Sequence, residues 1–407
     1  MVHSQIEDIF SAVENKRDEI LATFMEMLRI PALAPVNGGE GEGRKAEYLI
    51  SVLEKLGMDD ITVHTAEDTH PRPNVIAVKH GLDRSRRLWV MSHMDVVPPG
   101  DLSRWESDPF EPVVKDGKVI ARGTEDNGQE LIASIFGLVV LKELGITPVM
   151  DIGLALVADE ETGSEFGIRY LMDRGIFRPD DLIIVPDAGN EDATELEVAE
   201  KSILWVKVIT HGKQCHASTP HRGSNAHFAG MKFGVRAIEE LKARYPGTNS
   251  LFDPPISTFE PTKKEGNVPN INTLPGEDIM YFDCRILPEI DPDEVLDLLR
   301  SIASEIGSEL GVTIDLEIVQ LERAAPPTPA DAPVVTLLEG AVRKVWNNEP
   351  RPRGIGGGTC AAILRRAGFP AVVWGRIDET AHAPNEYTRI ENLIGNTKVY
   401  ALLYAGL

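Results

Sequence analysis

Cysteine is scarce in this chain: three residues in 407, Cys215, Cys284 and Cys360, odd in number and far apart. They make neither a disulfide framework nor a paired-cysteine metal knuckle, so a reducing, cytoplasmic compartment is the expectation. Long apolar runs are missing as well. No stretch approaches the roughly 20 residues needed to span a bilayer. The N-terminal MVHSQIEDIFSAVENKRDEI is charged and amphipathic and has no signal-peptide core. Basic residues are in the minority, with 41 Lys plus Arg against 64 Asp plus Glu and a formal net charge of −23. That surplus argues against nucleic acid or an anionic membrane as a partner.

What is present is a globular composition, 42% hydrophobic and 26% charged, in a chain long enough for two domains. Apolar residues recur at helical spacing from Gln5 to Leu28 and predict one helix ending before Pro31. A second helix is expected over Gly43–Leu56. Short apolar runs, NVIAVKH, RRLWVMSH, DIGLALVA and DLIIVPD, read as buried strands. They alternate with helices at ELIASIFGLVVLKELG and SEFGIRYLMDRG, the signature of an α/β layered domain. Near Ile203 the rhythm changes. A strand at ILWVKVIT, a helix capped by Ser224, strands at PISTFEP and DIMYFDCRIL, a helix at DPDEVLDLLRSIASEIG and a strand at TIDLEIVQL give the order β-α-β-β-α-β of a ferredoxin-like module. The expected architecture is therefore an α/β/α domain, residues 1–203 and 321–407, interrupted by a smaller α+β domain, residues 204–320.

Polar residues stand where the buried strands end. MSHMDVV supplies His93 and Asp95, ARGTEDNG supplies Asp126, VADEETG supplies Glu160 and Glu161, IIVPDAG supplies Asp187, and ETAHAPNE supplies His382. In an open α/β sheet, ligands bind outside the carboxyl ends of strands, so these groups can converge on one rim. Each motif alone is weak: a lone HxD is most often an ordinary satisfied histidine, and DEE is most often a solvated helix start. The ordered set carries the reading. Two histidines with several carboxylates exceed the needs of one catalytic zinc and suit two divalent cations about 3.5–4 Å apart, zinc first, with manganese or cobalt as alternatives. The HMD spacing lets Asp95 orient His93 through the ring nitrogen away from the metal. GIGGG could cradle a phosphate, but it lacks the GxGxxG and Walker spacings of a nucleotide loop.

The order SHMDVVP, DGKVIARGTEDNG, ADEETGS, PDAG, GGGT and AHAPNE closely resembles the co-catalytic metallopeptidase family of glutamate carboxypeptidase, succinyl-diaminopimelate desuccinylase, acetylornithine deacetylase, aminoacylases and dipeptidases. The resemblance covers nearly the whole chain. It implies a catalytic domain and a lid domain that is often the dimerisation surface, hence a homodimer through the lid. It implies that His93 and His382 each bind one of two metals, that Asp126 bridges them before a non-proline cis peptide, and that Glu161 and Asp187 complete the ligands. Glu160 would be the general base. His216, in HGKQCHASTPHRG, would donate to the developing oxyanion. Asn272, Arg285, Gly357, Gly358 and Thr359 would hold the substrate, Arg285 by gripping a carboxylate. Four positions depart from the common pattern: Ala121, Asn127-Gly128, Cys360 and Asp187, the last where desuccinylase- and deacetylase-like members carry Glu. None removes a ligand. The expected activity is hydrolysis of a short peptide or N-acyl amino acid with a free carboxylate. Deacylation of succinyl-diaminopimelate or acetylornithine type is the alternative, and a non-catalytic amino-acid binder the remote one.

Overall fold

The computed structural model describes residues 2–407. The chain forms two compact units. The first comprises the chain up to Val198, Pro327–Arg353 and Thr359–Leu407; the second comprises Ala199–Pro326 with Gly354–Gly358.

The first unit is built on an eight-stranded mixed sheet. Its order is Asp60–Ala66, Arg72–Lys79, Met150–Val157, Asp83–His93, Leu182–Val185, Ala371–Val373, Glu195–Glu200 and Arg351–Ile355. Three central strands, Met150–Val157, Asp83–His93 and Leu182–Val185, run parallel. Parallel strands are covered on both faces, which is why RRLWVMSH and DIGLALVA read as continuous apolar runs. One face carries Trp89, Met91, Ala155, Val157, Ile183, Val185 and Val373, packed under the helices Ile168–Met172 and Cys360–Arg366. The alternate residues Leu88, Val90, Leu154, Leu156 and Ile184 are also buried, towards the face covered by helix Gln129–Glu143. Gly153 lies under Trp89, where a Cβ would come within 2.3 Å of the indole. The Trp89 indole N–H is satisfied by Asp181 Oδ2 at 2.7 Å. Helix Ile390–Ala405 packs on Gln129–Glu143, with Tyr400 and Tyr404 against Gly137.

The second unit has the expected β-α-β-β-α-β order: strand Ser202–His211, helix Ala226–Arg244, strands Thr258–Lys264 and Glu277–Ile286, helix Pro292–Leu310 and strand Thr313–Glu322. The sheet is antiparallel, with Ser202–His211 and Glu277–Ile286 in the middle. Phe233, Phe282, Leu299 and Ile306 fill its core.

Local details differ from the sequence reading. The first helix is two, Val2–Asn15 and Arg17–Leu28, because Lys16 adopts ψ near 0 and its N–H is shared between Ala12 and Val13. The cap of helix Ala226–Arg244 is Asn225, whose side chain accepts the Phe228 N–H at 3.1 Å; Ser224 is not the cap. The helix expected in SEFGIRYLMDRG spans only Ile168–Met172. Unit boundaries also shift from 204 and 320: Lys201 donates to the Pro254 and Ile256 carbonyls of the second unit, and the last strand runs to Glu322.

Candidate metal centre

Six of the singled-out side chains meet near the carboxyl ends of the central strands of the first unit. His93 is the last residue of its strand, Glu160 and Glu161 follow Met150–Val157 in a 3-10 turn, and Asp187 follows Leu182–Val185. Asp126 lies in the turn that leads into helix Gln129–Glu143, and the Asp126–Asn127 peptide is cis. His382 arrives from the loop after Ala371–Val373.

The two imidazoles take opposite oxygens of one carboxylate. His93 Nε2 lies 2.8 Å from Asp126 Oδ1, and His382 Nε2 lies 3.0 Å from Asp126 Oδ2. Asp187 Oδ1 stands 3.2 Å from His93 Nε2, and Glu161 Oε2 stands 3.0 Å from His382 Nε2. Ligand atoms of His93, Asp126 and Glu161 lie within 4.8 Å of one another, as do those of His93, Glu160 and Asp187.

The tautomer of His93 follows from its other nitrogen. Nδ1 is 3.0 Å from the Asp95 backbone carbonyl, which can only accept, so Nδ1 carries a hydrogen, and in the neutral ring it is Nε2 that presents its lone pair towards Asp126 and Asp187. In the neutral ring a divalent cation can take the place of a proton between Nε2 and the two carboxylates, and this donor set of imidazole and carboxylate suits such a metal. Burial opposes charge on His93, yet Asp126, Asp187 and Asp95 together hold its pKa well above the usual value. Asp126 and Glu161 push His382 up to about 10. Burial, then the charge of Asp187, lifts Glu160 well above the ordinary carboxyl range. Burial likewise raises Glu161 and Asp187. Without a metal, the two protonated imidazoles are the counter-charges that these carboxylates face.

Asp95 does a different task from the one its spacing suggests. Its backbone carbonyl orients His93, and its carboxylate stays 3.6 Å from the ring. The carboxylate accepts the backbone N–H groups of Glu160 and Glu161, at 3.1 and 3.0 Å, so it fixes the turn that aims both acids.

Several supporting residues escaped the sequence reading. Asp159, at φ 64°, is buried; its Oδ1 faces Arg72 at 3.1 Å and accepts from Thr162, and its Oδ2 accepts the Phe166 N–H. Arg72 in turn forks onto Glu42 at 2.7 and 2.8 Å. Glu386 is fully buried against Arg122 at 2.5 Å. The sequence carries little signal for them: Arg72 opens its strand between two prolines, and Glu386 lies in the polar AHAPNEYTR.

The remaining candidates lie mostly in the second unit. His216 is exposed on a two-residue strand paired with Thr273–Leu274, and the Ala217 N–H donates to the Asn272 carbonyl at 2.9 Å, so His216 and Asn272 are neighbours. The Ser218 backbone N–H donates to His216 Nδ1 at 3.2 Å, which leaves the ring hydrogen on Nε2, free to donate. Arg285 departs from the expected carboxylate grip. Its guanidinium is forked onto Asp283 at 2.6 and 3.0 Å and donates to the Gly356 carbonyl at 2.7 Å, so its donors are engaged within its own unit. Gly357 and Gly358 belong to the second unit, whereas Thr359 opens helix Cys360–Arg366 in the first, accepting the Ala361 N–H.

Comparison with known proteins bears on the family and the fold. The model of peptidase family M20/M25/M40 matches residues 89–405. An uncharacterized metallohydrolase of Methanococcus maripaludis is 40% identical, over 94% of this chain and 98% of its own. A succinyl-diaminopimelate desuccinylase of Methylocella silvestris is 26% identical, over 92% of this chain and 95% of its own. Aminopeptidase PepT of Bacillus cereus shares the fold with a TM-score of 0.73 at 20% identity, over 96% of this chain and 98% of its own. The chain belongs to peptidase family M20/M25/M40, metal-dependent hydrolases of amide and peptide bonds.

Proposed function

We propose that this chain is a two-metal amide hydrolase that cleaves a short peptide or an N-acyl amino acid with a free carboxylate. The observation that supports it is the seating of two imidazole nitrogens on opposite oxygens of Asp126. His93 with Asp187 would hold one cation, His382 with Glu161 the other, and Asp126 would bridge. Divalent cations there, zinc first and manganese or cobalt next, would polarise the scissile carbonyl and acidify a water molecule.

The rest falls to the chain's own groups. Glu160 has no imidazole partner among the described residues; its carboxylate faces the Cys360 thiol at 3.6 Å. It is the group to take a proton from the attacking water and return it to the leaving nitrogen as the C–N bond breaks. His216, with its hydrogen on Nε2, is suited to donate to the carbonyl oxygen as it gains charge. Asn272, Gly357, Gly358 and Thr359 are proposed to hold the substrate; Arg285 serves better as a brace for the Gly356 turn.

Deacylation is the second reading, favoured by the desuccinylase relative, whereas Asp187 leans towards the peptidases. A lid-mediated homodimer is supported by Phe228, Met231 and Val235, exposed at helical spacing on helix Ala226–Arg244. Three free thiols suit a reducing compartment, and among the described residues no helix is long and apolar enough to cross a membrane.

The test is a panel of dipeptides and N-acyl amino acids, with manganese, cobalt and zinc in turn, read by released amine. Glu160→Ala is expected to keep its metal content and lose at least about 10²-fold in turnover. Retained turnover in that variant overturns the role of Glu160, and an inert, fully loaded wild type across the panel overturns hydrolysis.

A further inference from the structure

The two histidines of the centre are held by unlike means. His93 is buried and its ring is pinned through Nδ1. His382 is half-exposed, with no hydrogen bond to its Nδ1 among the described residues. Its position must come from its backbone, and that backbone is contorted. Glu379, His382 and Asn385 all take left-handed φ angles, 57°, 63° and 59°, which non-glycine residues adopt only when the surroundings enforce them.

The enforcing group is Glu125, the residue before Asp126. Its side chain leaves the Asp126 turn and reaches the His382 loop. Oε1 accepts the N–H of Asp378, and Oε2 accepts the N–H groups of Thr380 and Ala381, the latter at 2.9 Å. Thr380 Oγ1 also lies 2.9 Å from Oε2 and accepts the N–H of Tyr387 at 3.2 Å, closing the loop on itself. The grip is reciprocated. Glu386, from the far end of the same loop, accepts the N–H groups of Glu125 and Asp126 at 2.9 and 3.1 Å on one oxygen and that of Gly123 at 3.2 Å on the other. Each ligand-bearing segment is thus fastened by a buried carboxylate belonging to the other. A carboxylate can accept from several N–H donors at once, whereas an amide offers one acceptor oxygen and turns an N–H₂ towards donors.

We propose that Glu125 is a positioning residue for the metal held by His382: it fixes the distance between His382 and Asp126 and so sets affinity at that site and not at the His93 site. This rests on the two-metal reading above. Calorimetric titration of the metal-free full chain with zinc tests it, together with amide hydrogen exchange over residues 378–386. Wild type is expected to bind two cations. Glu125→Gln is expected to keep one binding step unchanged, weaken the other roughly 10–100-fold, the range for losing an outer-shell partner, and exchange faster at Asp378, Thr380 and Ala381. Glu125→Asp, which keeps the charge at shorter reach, is expected to fall between the two and carries the test should Glu125→Gln not fold. Wild type binding fewer than two cations overturns the two-metal reading and this role with it. Wild type binding two, with a folded variant whose two affinities stay within about threefold of wild type, overturns the role of Glu125 alone. So does equal weakening of both steps.

Discussion

At the scale of single residues, Asp95 and Asp159 show how much of a site lies in hydrogen-bond direction. Asp95 accepts two successive backbone N–H groups, and no other side chain does this for the Glu160–Glu161 turn among the described residues. Asp95→Asn would turn a donor towards one of those N–H groups. Turnover is expected to drop roughly 10–100-fold with circular dichroism unchanged, and steady-state kinetics check it. Arg72 sits between Glu42 and Asp159, all three buried. Arg72→Met strands two buried carboxylates and is expected to cost about 3–5 kcal/mol, measured by urea unfolding. That His93, Glu161 and Asp187 gather on one rim was legible because they follow apolar strands, whereas Asp126 and His382 stand in a turn and a loop and were singled out by their motifs. The direction in which Asp95 points was not legible, since two residues of spacing fit a side-chain contact and a backbone contact equally well. The partner of Asp159 was not legible either, since Arg72 lies 87 positions earlier in the chain.

At the scale of elements, helix Gln129–Glu143 carries an acid where its apolar run predicts none. Glu130 is fully buried against Tyr400 Oη at 3.0 Å and Asn396, and burial pushes its pKa up to about 8. The unfolded chain would ionise this group near pH 4.5, so between roughly pH 4.5 and 8 the folded state binds the extra proton. Its stability contribution is whole below 4.5 and declines as pH rises through that window. Glu130→Gln keeps the shape without the titration. Its melting temperature is expected to gain on wild type as pH goes from 5 to 8, which scanning calorimetry at a series of pH values will show. Elements with a strong period, the central strands and long helices, were readable from the chain. The strand Asp60–Ala66 was not, because it is an edge strand with mostly exposed side chains and gives no clean alternation. The break at Lys16 was also unreadable, since the apolar spacing runs straight through it.

At the scale of the whole molecule, the acidic balance has a local counterpart: Asp126, Glu160, Glu161 and Asp187 crowd one rim of the sheet. Chelation should therefore lower stability as well as activity. A ligand at 1,000 times its Kd adds about 4 kcal/mol, so EDTA is expected to lower the melting temperature by several degrees and zinc to restore it. An unchanged melting curve would show that the acids do not need the cation to coexist. The interrupted α/β plan was legible because periodicity changes near Ile203 and returns after the proline-rich RAAPPTPADAP. The order of strands was not, since pairing between distant segments leaves no local pattern. That order matters during synthesis. Ala371–Val373 wedges between Leu182–Val185 and Glu195–Glu200, elements made long before it. A ribosome adding about 5–20 residues per second needs on the order of 10–40 s to travel from Asp187 to His382. Throughout that interval the nascent first unit lacks both a strand of its sheet and His382, so the proposed metal centre can be completed only after the residues beyond Ala371–Val373 have left the exit tunnel.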